Sequence, residues 1–399
     1  MSYRHMRDVE PSLEAVTLIC TVAGLVPYDL RSGRLRPLGL LHTLAEGAAL
    51  TKIAADNVFS PKTRTYSSQD AFNVLTSGTI FTFYICLFCL VSTTLCRSIV
   101  HARRRVAILR QVTAINRKLR QLHLSHEAHS FRRIILTFFV IIGSIATGDV
   151  IIMHFLRKKP LWMVLNKMLH IYSFYLIVIP TMLNFTTFMK VFNLKFRLVN
   201  DFLESYVIRY DQTELEKKPR QPIDVILKDV VVVHSMLRNA IDEHNELYSV
   251  QILFFLATCF TNFNSNVFFF FFASPNKIQT IYCLYWSSMH FFILTMLLRE
   301  TSNAKIEANS TARIIHQLLL SNVRDKVKNE LQLFSLQLIH EKVNFTACGF
   351  FPLDLSVLFN TISSVVTYLI ILIQLQISTQ ESSVFKVAMK NNATAATAQ

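Results

Sequence analysis

The sequence predicts an all-α membrane protein with seven transmembrane helices, the N-terminus cytoplasmic and the C-terminus extracellular. Three observations predict it. Hydrophobic residues make up 52% of the 399 positions and charged ones only 17%, with a mean hydropathy of +0.36, outside the usual soluble range. Seven apolar stretches are each about 20 residues long, enough at ~1.5 Å per residue to cross ~30 Å of hydrocarbon. The 41 Lys and Arg residues, against 26 Asp and Glu, cluster between those stretches rather than on a polar domain. They read as topology signals facing anionic membrane lipid, and a nucleic-acid partner is not expected.

Residues 1–37 form a cytoplasmic segment with no removable signal peptide pattern. Within it Leu13 to Val26 is apolar but too short to span, which suggests a helix near the membrane surface ended by Pro27. Residues 38–298 hold six spans. The first, Leu38 to Phe59, carries Glu46, Lys52 and Asp56; Lys52 and Asp56 are four apart and can pair on one face. The second runs from Ala71 to Cys96, the third from Ile134 to Phe155 and the fourth from Val164 to Met189. The fifth is Val250 to Phe272 and the sixth Ile278 to Leu298.

Between the second and third spans lies a hydrophilic connector containing Arg103-Arg104-Arg105, Arg110, Arg117-Lys118, Arg120 and Arg132-Arg133. Sensor arginines would sit at regular spacing inside an apolar helix, so this stretch reads as a cytoplasmic loop. Lys190 to Tyr248 has helical spacing and suggests helices that leave the membrane and continue beyond it, joined by a charged hinge from Asp211 to Gln221. Residues 299–352 read as amphipathic anchor helices with apolar positions at Ile314, Leu318, Leu331, Phe334 and Leu338. Basic residues concentrate after spans two, four and six, which by the positive-inside rule puts those loops in the cytoplasm.

The seventh span, residues 353–377, follows the Gly349 and Pro352 break and is unusual in carrying Ser356, Asn360, Ser363, Ser364, Thr367 and Gln374. Such groups need partners in lipid, so one face looks at protein or water. Residues 378–399 follow as an extracellular tail.

No phosphate-binding loop, HExxH or GxSxG pattern is present, and an enzyme is not expected. No metal or cofactor site is expected either. Cys86-x-x-Cys89 lacks a second ligand pair, and His170 and His290 read as hydrogen-bonded bundle residues.

Thr367-Tyr368, five aliphatic residues and Gln374 resemble the closing signature of insect gustatory receptors, with Leu375 where that family has Phe. Phe334-Ser335-Leu336-Gln337-Leu338 and the run from Phe345 to Asp354 match the same family, densely over the last 70 residues or so and thinly elsewhere. The resemblance implies a tetrameric, ligand-gated, non-selective cation channel of the sensory-neuron plasma membrane, homomeric or mixed with other gustatory receptors. It implies a pore lined by the last helix, with Gln374 and Leu375 at the gate and Thr367 and Tyr368 deeper. It also implies a pocket for a small-molecule tastant in the outer half of the bundle. There the sequence offers Asp149, His170, Tyr172, Tyr175, Asn262, Tyr282, Tyr285 and Trp286. The sugar-sensing branch carries Glu after Thr-Tyr where this chain has Leu369, which favours a bitter or other non-sugar tastant. A sugar-responsive or odorant-type receptor is the nearer alternative. A G-protein-coupled receptor would need the opposite orientation, and a transporter would need repeated, broken half-helices.

Overall fold

A computed structural model describes residues 11–26, 71–124, 131–156, 158–212, 223–272, 277–320 and 325–371, with isolated positions in 37–48 and 373–378. Apart from those isolated positions, the expected first span and the extracellular tail lie outside the described residues. Nine helices and one small hairpin are described: α1 Pro11–Val22, α2 Ala71–Val100, α3 Ala102–Gln121 and α4 Phe131–Val150, which runs into a π-helical turn at Ile151–Leu156. Then come α5 Leu161–Gln212, α6 Ile223–Phe272, α7 Lys277–Leu320, α8 Asp325–His340 and α9 Ser356–Ile371. Strands β1 Thr346–Ala347 and β2 Phe351–Pro352 pair antiparallel across Gly349, whose φ of +77° suits the turn.

Five of the described helices are long and apolar enough to cross a membrane. α5, α6 and α7 hold 52, 50 and 44 residues, so at ~1.5 Å per residue each is about twice the ~30 Å needed. Each therefore continues past the membrane as a single rod. The expected helical extension of spans four and five is what forms, and span six runs on to Leu320 as one helix. The projecting halves of α5, α6 and α7, with α8, make a second bundle.

Its core is apolar and continuous with that of the membrane half: Phe196, Val199, Val230, Val233, Leu237, Ile314, Leu331 and Phe334 are all buried. His234 lies between the rings of Phe196 and Phe334 at 5.2 and 5.5 Å. Polar ties fix the register. Asn200 Nδ2 donates to the Glu307 carboxylate at 2.7 Å, and Thr311 Oγ1 donates to Asn200 Oδ1 at 2.7 Å. Asn309 donates to the Val343 carbonyl and accepts from its N–H, so this amide clamps α7 to the strand-bearing segment. Arg238 bridges α6 to Glu341 at 2.6 Å. A hydrogen bond from Gln337 and the charge of Arg238 hold the Glu341 carboxyl below the usual carboxylate range.

Two expectations change in detail. The arginine-rich connector is not a loop: residues 102–121 form helix α3. Ile108, Val112, Ile115 and Leu119 recur at spacings of four, three and four and are buried together with Val106, leaving Arg103, Arg104 and Arg110 outside. Meanwhile α1, expected as a helix near the membrane surface, packs against the bundle. Its Val16 and Ile19 meet Leu183 of α5 and Ile134, Ile135 and Phe138 of α4. It ends at Gly24, φ +67°, where Leu25 N–H bonds to the Cys20 carbonyl and Gly24 N–H to Thr21, a Schellman closure.

Candidate functional site

At the end of the bundle away from α8, aromatic side chains from α5 and α7 converge. Tyr282, Trp286 and His290 are spaced four apart on α7 and so share one face. Trp286 and His290 are buried, and Tyr175 of α5 packs against both, with ring centroids 5.4 and 5.7 Å away. Tyr282 meets Trp286 edge-on at 6.2 Å, and Phe83 of α2 meets His290 at 6.3 Å. These are the offset and edge geometries that aromatic quadrupoles favour.

Hydrogen bonds orient the cluster. His290 Nδ1 lies 2.9 Å from the Trp286 carbonyl, which can only accept, so that nitrogen carries the proton. In the neutral ring Nε2 is then an acceptor, and the Tyr175 hydroxyl donates to it at 2.9 Å. Tyr285 reaches the other way, its hydroxyl meeting the Ser144 and Ile145 carbonyls of α4 at 3.1 and 3.0 Å. The indole N–H of Trp286 has no hydrogen-bond partner among the described residues, although the residue is only 6% exposed. Buried donors are nearly always paired. This one stands unpaired between aromatic side chains.

Of the residues expected here, Tyr175, Tyr282, Tyr285 and Trp286 are brought together. Asp149 is buried on α4 beside Gly148, against which the Tyr285 ring packs. Asn262 lies on α6, its amide oxygen accepting from Asn266 at 2.7 Å, and no described contact joins it to the cluster. The side chains of His170 and Tyr172 lie outside the described residues, although their backbone belongs to α5. His290 is hydrogen-bonded, as expected of a bundle residue, yet it is also the hinge of the aromatic cluster. The four-residue spacing with Tyr282 and Trp286 is the sequence signal that points to it.

The last helix has three faces. Asp354 caps it, accepting from the Ser356 N–H at 3.1 Å and from the Ser356 hydroxyl. Val357 and Val365 turn inward and are buried. Ser356, Asn360, Ser363 and Thr367 follow one another at spacings of four, three and four, and Gln374 falls on the same face two turns later; all five are exposed. Phe359, Ile362, Val366 and Ile370 form a separate exposed apolar stripe. Tyr368 is half-buried, and Leu375 lies outside the described residues.

A family model for the 7tm chemosensory receptor matches residues 13–379. Among curated relatives, the gustatory and pheromone receptor 32a of Drosophila melanogaster is 37% identical over 102 residues, 26% of this chain and 21% of its own length. The gustatory receptor for bitter taste 66a, from the same fly, is 29% identical over 170 residues, covering 39% and 31%. Its gustatory receptor for sugar taste 43a is 24% identical over 155 residues, covering 38% and 36%. The chain thus aligns with between a fifth and about a third of these relatives. The fold is similar to that of the insect olfactory receptor OR5 from Machilis hrabei in complex with eugenol. That match has a TM-score of 0.67 at 12% identity and covers 94% of this chain and 100% of the other. Family match, gustatory relatives and shared fold agree: the chain belongs to the 7tm chemosensory receptor family of multi-pass membrane proteins.

Proposed function

We propose that this chain is one subunit of a tastant-gated, non-selective cation channel of the sensory-neuron plasma membrane, tetrameric and seven-span, with the N-terminus inside. The observation that carries the reading is the exposed polar face of α9. Ser356, Asn360, Ser363, Thr367 and Gln374 are exposed, with no helix covering them among the described residues, and lipid is a poor environment for them. Around a shared axis the same face becomes a wetted lining. The aromatic cluster at Trp286 is the tastant site in this reading, supported by its unpaired buried donor and by the small molecule named with the OR5 structure. Leu369, after Thr367-Tyr368, favours a bitter or other non-sugar tastant. Homo- and heteromeric assembly are both compatible with it.

The test is tastant-evoked current in cells expressing the chain, alone and with other gustatory receptors, while G-protein signalling is blocked. Current that survives the block supports the channel. Responses that vanish with it would transfer the function to a G-protein-coupled mechanism. Orientation is tested separately with cysteine in place of exposed Ala107 on α3, in a chain lacking exposed Cys96 and Cys348. Impermeant thiol reagents should label it only after permeabilisation.

A further inference from the structure

Two buried side chains on the wall of one small cavity each carry a polar atom without a hydrogen-bond partner among the described residues. His244 of α6 is 2% exposed and stacked on Phe188 at 4.4 Å, and the atom is its Nε2. Asn184 of α5 is 8% exposed; its Nδ2 donates to Cys20 Sγ of α1 at 3.5 Å, and the atom is its Oδ1. The cavity lies where α1, α3, α5 and α6 meet and leaves about 20 Å³ for the centre of a water-sized body. A water needs about 10–15 Å³ by that measure, with two to four polar neighbours. Native interiors rarely leave one such atom unmet, and here two border the same space. We propose that the cavity holds one structural water, which joins His244 Nε2 to Asn184 Oδ1.

Size and charge select the occupant. The space takes a single heavy atom, which excludes an organic ligand, a phosphate or a lipid headgroup. Arg105 lines the same cavity within charge range of His244, which disfavours a metal cation or ammonium. Asn184 Oδ1 can only accept a hydrogen bond, which disfavours chloride or another anion. Water donates through one O–H to Asn184 Oδ1. Towards His244 Nε2 it donates or accepts, so it serves either tautomer of the neutral ring. Thr17 of α1 also lines the cavity; its hydroxyl donates to the Leu13 carbonyl and keeps a lone pair for a third bond.

The bridge has a structural consequence. Asn184 passes the link to Cys20, whose thiol donates to the Pro180 carbonyl at 3.6 Å. Pro180 lies inside α5 and brings no N–H to the helix ladder. One water thus fastens α6 to the contact between α1 and α5, a turn past that proline.

The test is a cryo-electron-microscopy map of the full chain in lipid nanodiscs, at a resolution where other buried waters are visible. A peak within about 3.2 Å of both His244 Nε2 and Asn184 Oδ1 is expected. Thermal unfolding of the same preparation gives a second reading. His244→Phe keeps the stacked ring and Asn184→Leu keeps the volume, and each strands the other atom. Each should lower the unfolding midpoint by about 2–4 °C. The double variant leaves an apolar site with nothing stranded, so its loss should fall well short of the sum of the two. The map is of the unaltered chain, so it decides even where a variant does not fold. No peak while other buried waters are seen, a direct contact between His244 and Asn184, or additive losses would each overturn the proposal.

Discussion

Gly148 and Tyr285 share one space: a Cβ added at Gly148 would lie 2.6 Å from the Tyr285 ring. The glycine lets α7 lean its tyrosine against α4, where the hydroxyl meets the Ser144 and Ile145 carbonyls. Gly148→Ala should therefore push the ring aside and shift the agonist dose–response to higher concentration. Tyr285→Phe keeps the ring and loses only the hydrogen bonds, worth ~0.5–1.5 kcal/mol each, so its shift should be smaller. Dose–response curves normalised to surface level check the order. Wild-type behaviour in Gly148→Ala would place the ligand away from this contact.

Trp286 gives a chemically selective version of the same test. Trp286→Phe keeps an aromatic wall but removes the unpaired indole N–H. Agonists carrying a hydrogen-bond acceptor should lose roughly tenfold in potency, about 1.4 kcal/mol, while apolar ones change little. A uniform loss across both kinds would indicate a packing defect instead.

In the anchor, the structure separates two groups that sequence spacing ran together. Phe334 and Leu338 are buried within their own chain, whereas Leu333, Leu336 and Ile339 on α8 are exposed. Phe334→Ala should cost ~3–5 kcal/mol and lower the yield of folded protein. Replacing Leu333, Leu336 and Ile339 together by Ser should leave the monomer folded but reduce the tetramer on a native gel. Intact assembly in that triple variant would move the subunit contact elsewhere.

Much of this architecture was legible because apolar runs of membrane length are the strongest signal a sequence carries. The ends of α6 at Phe272 and of α5 near the charged hinge follow from composition alone. The helix at α3 was hidden by its charge: seven Lys and Arg residues within 20 positions overwhelm hydropathy, although Ile108, Val112, Ile115 and Leu119 keep helical spacing. The role of Asn309 was invisible too, since its partner Val343 is 34 residues away and the bonds use backbone groups. In the aromatic cluster, residue types were readable but their meeting was not. Tyr175 and His290 are 115 positions apart, and Asn262, equally plausible by type, faces its own helix.

Asp354 links the anchor to the last helix, capping α9 through Ser356 and lying 3.6 Å from Lys305 of α7. The Ser356 hydrogen bonds, chiefly, and the Lys305 charge hold its carboxyl below the usual range. A lowered carboxyl contributes its stability in full above the unfolded value of about 3.9 and loses it as pH falls through the lowered one. Thermal unfolding should therefore show no pH dependence from this group between about pH 5 and 8, where its contribution is complete, and a loss only in acid. Asp354→Ala should destabilise by ~0.5–2 kcal/mol at pH 7, and Asp354→Asn, still a good cap, by less. Equal losses in the two would assign the effect to Lys305 rather than to the cap.

The gate prediction rests on Gln374 and Leu375. Gln374 is exposed on the polar face of α9 that runs from Ser356 through Thr367. An amide there is poorly placed against lipid and well placed against water and a partly hydrated cation. In the proposed pore the amide repeated around a central axis would give a ring of donors and acceptors, and Leu375, next in sequence, would be the apolar residue that closes it by dewetting. Thr367 lies about two turns back on the same exposed face, its hydroxyl bonded to the Ser363 carbonyl at 3.0 Å, and Tyr368 is half-buried, so the gate is not expected at either. Gln374→Ala should change ion selectivity or agonist-evoked current at normal surface expression. Leu375→Phe restores the bulk usual at this position in the family and should lower resting current. Should Gln374 instead bond to a neighbouring subunit, Gln374→Ala would reduce assembly and leave selectivity untouched. Wild-type selectivity, resting current and agonist response in both variants would place the gate elsewhere on the helix.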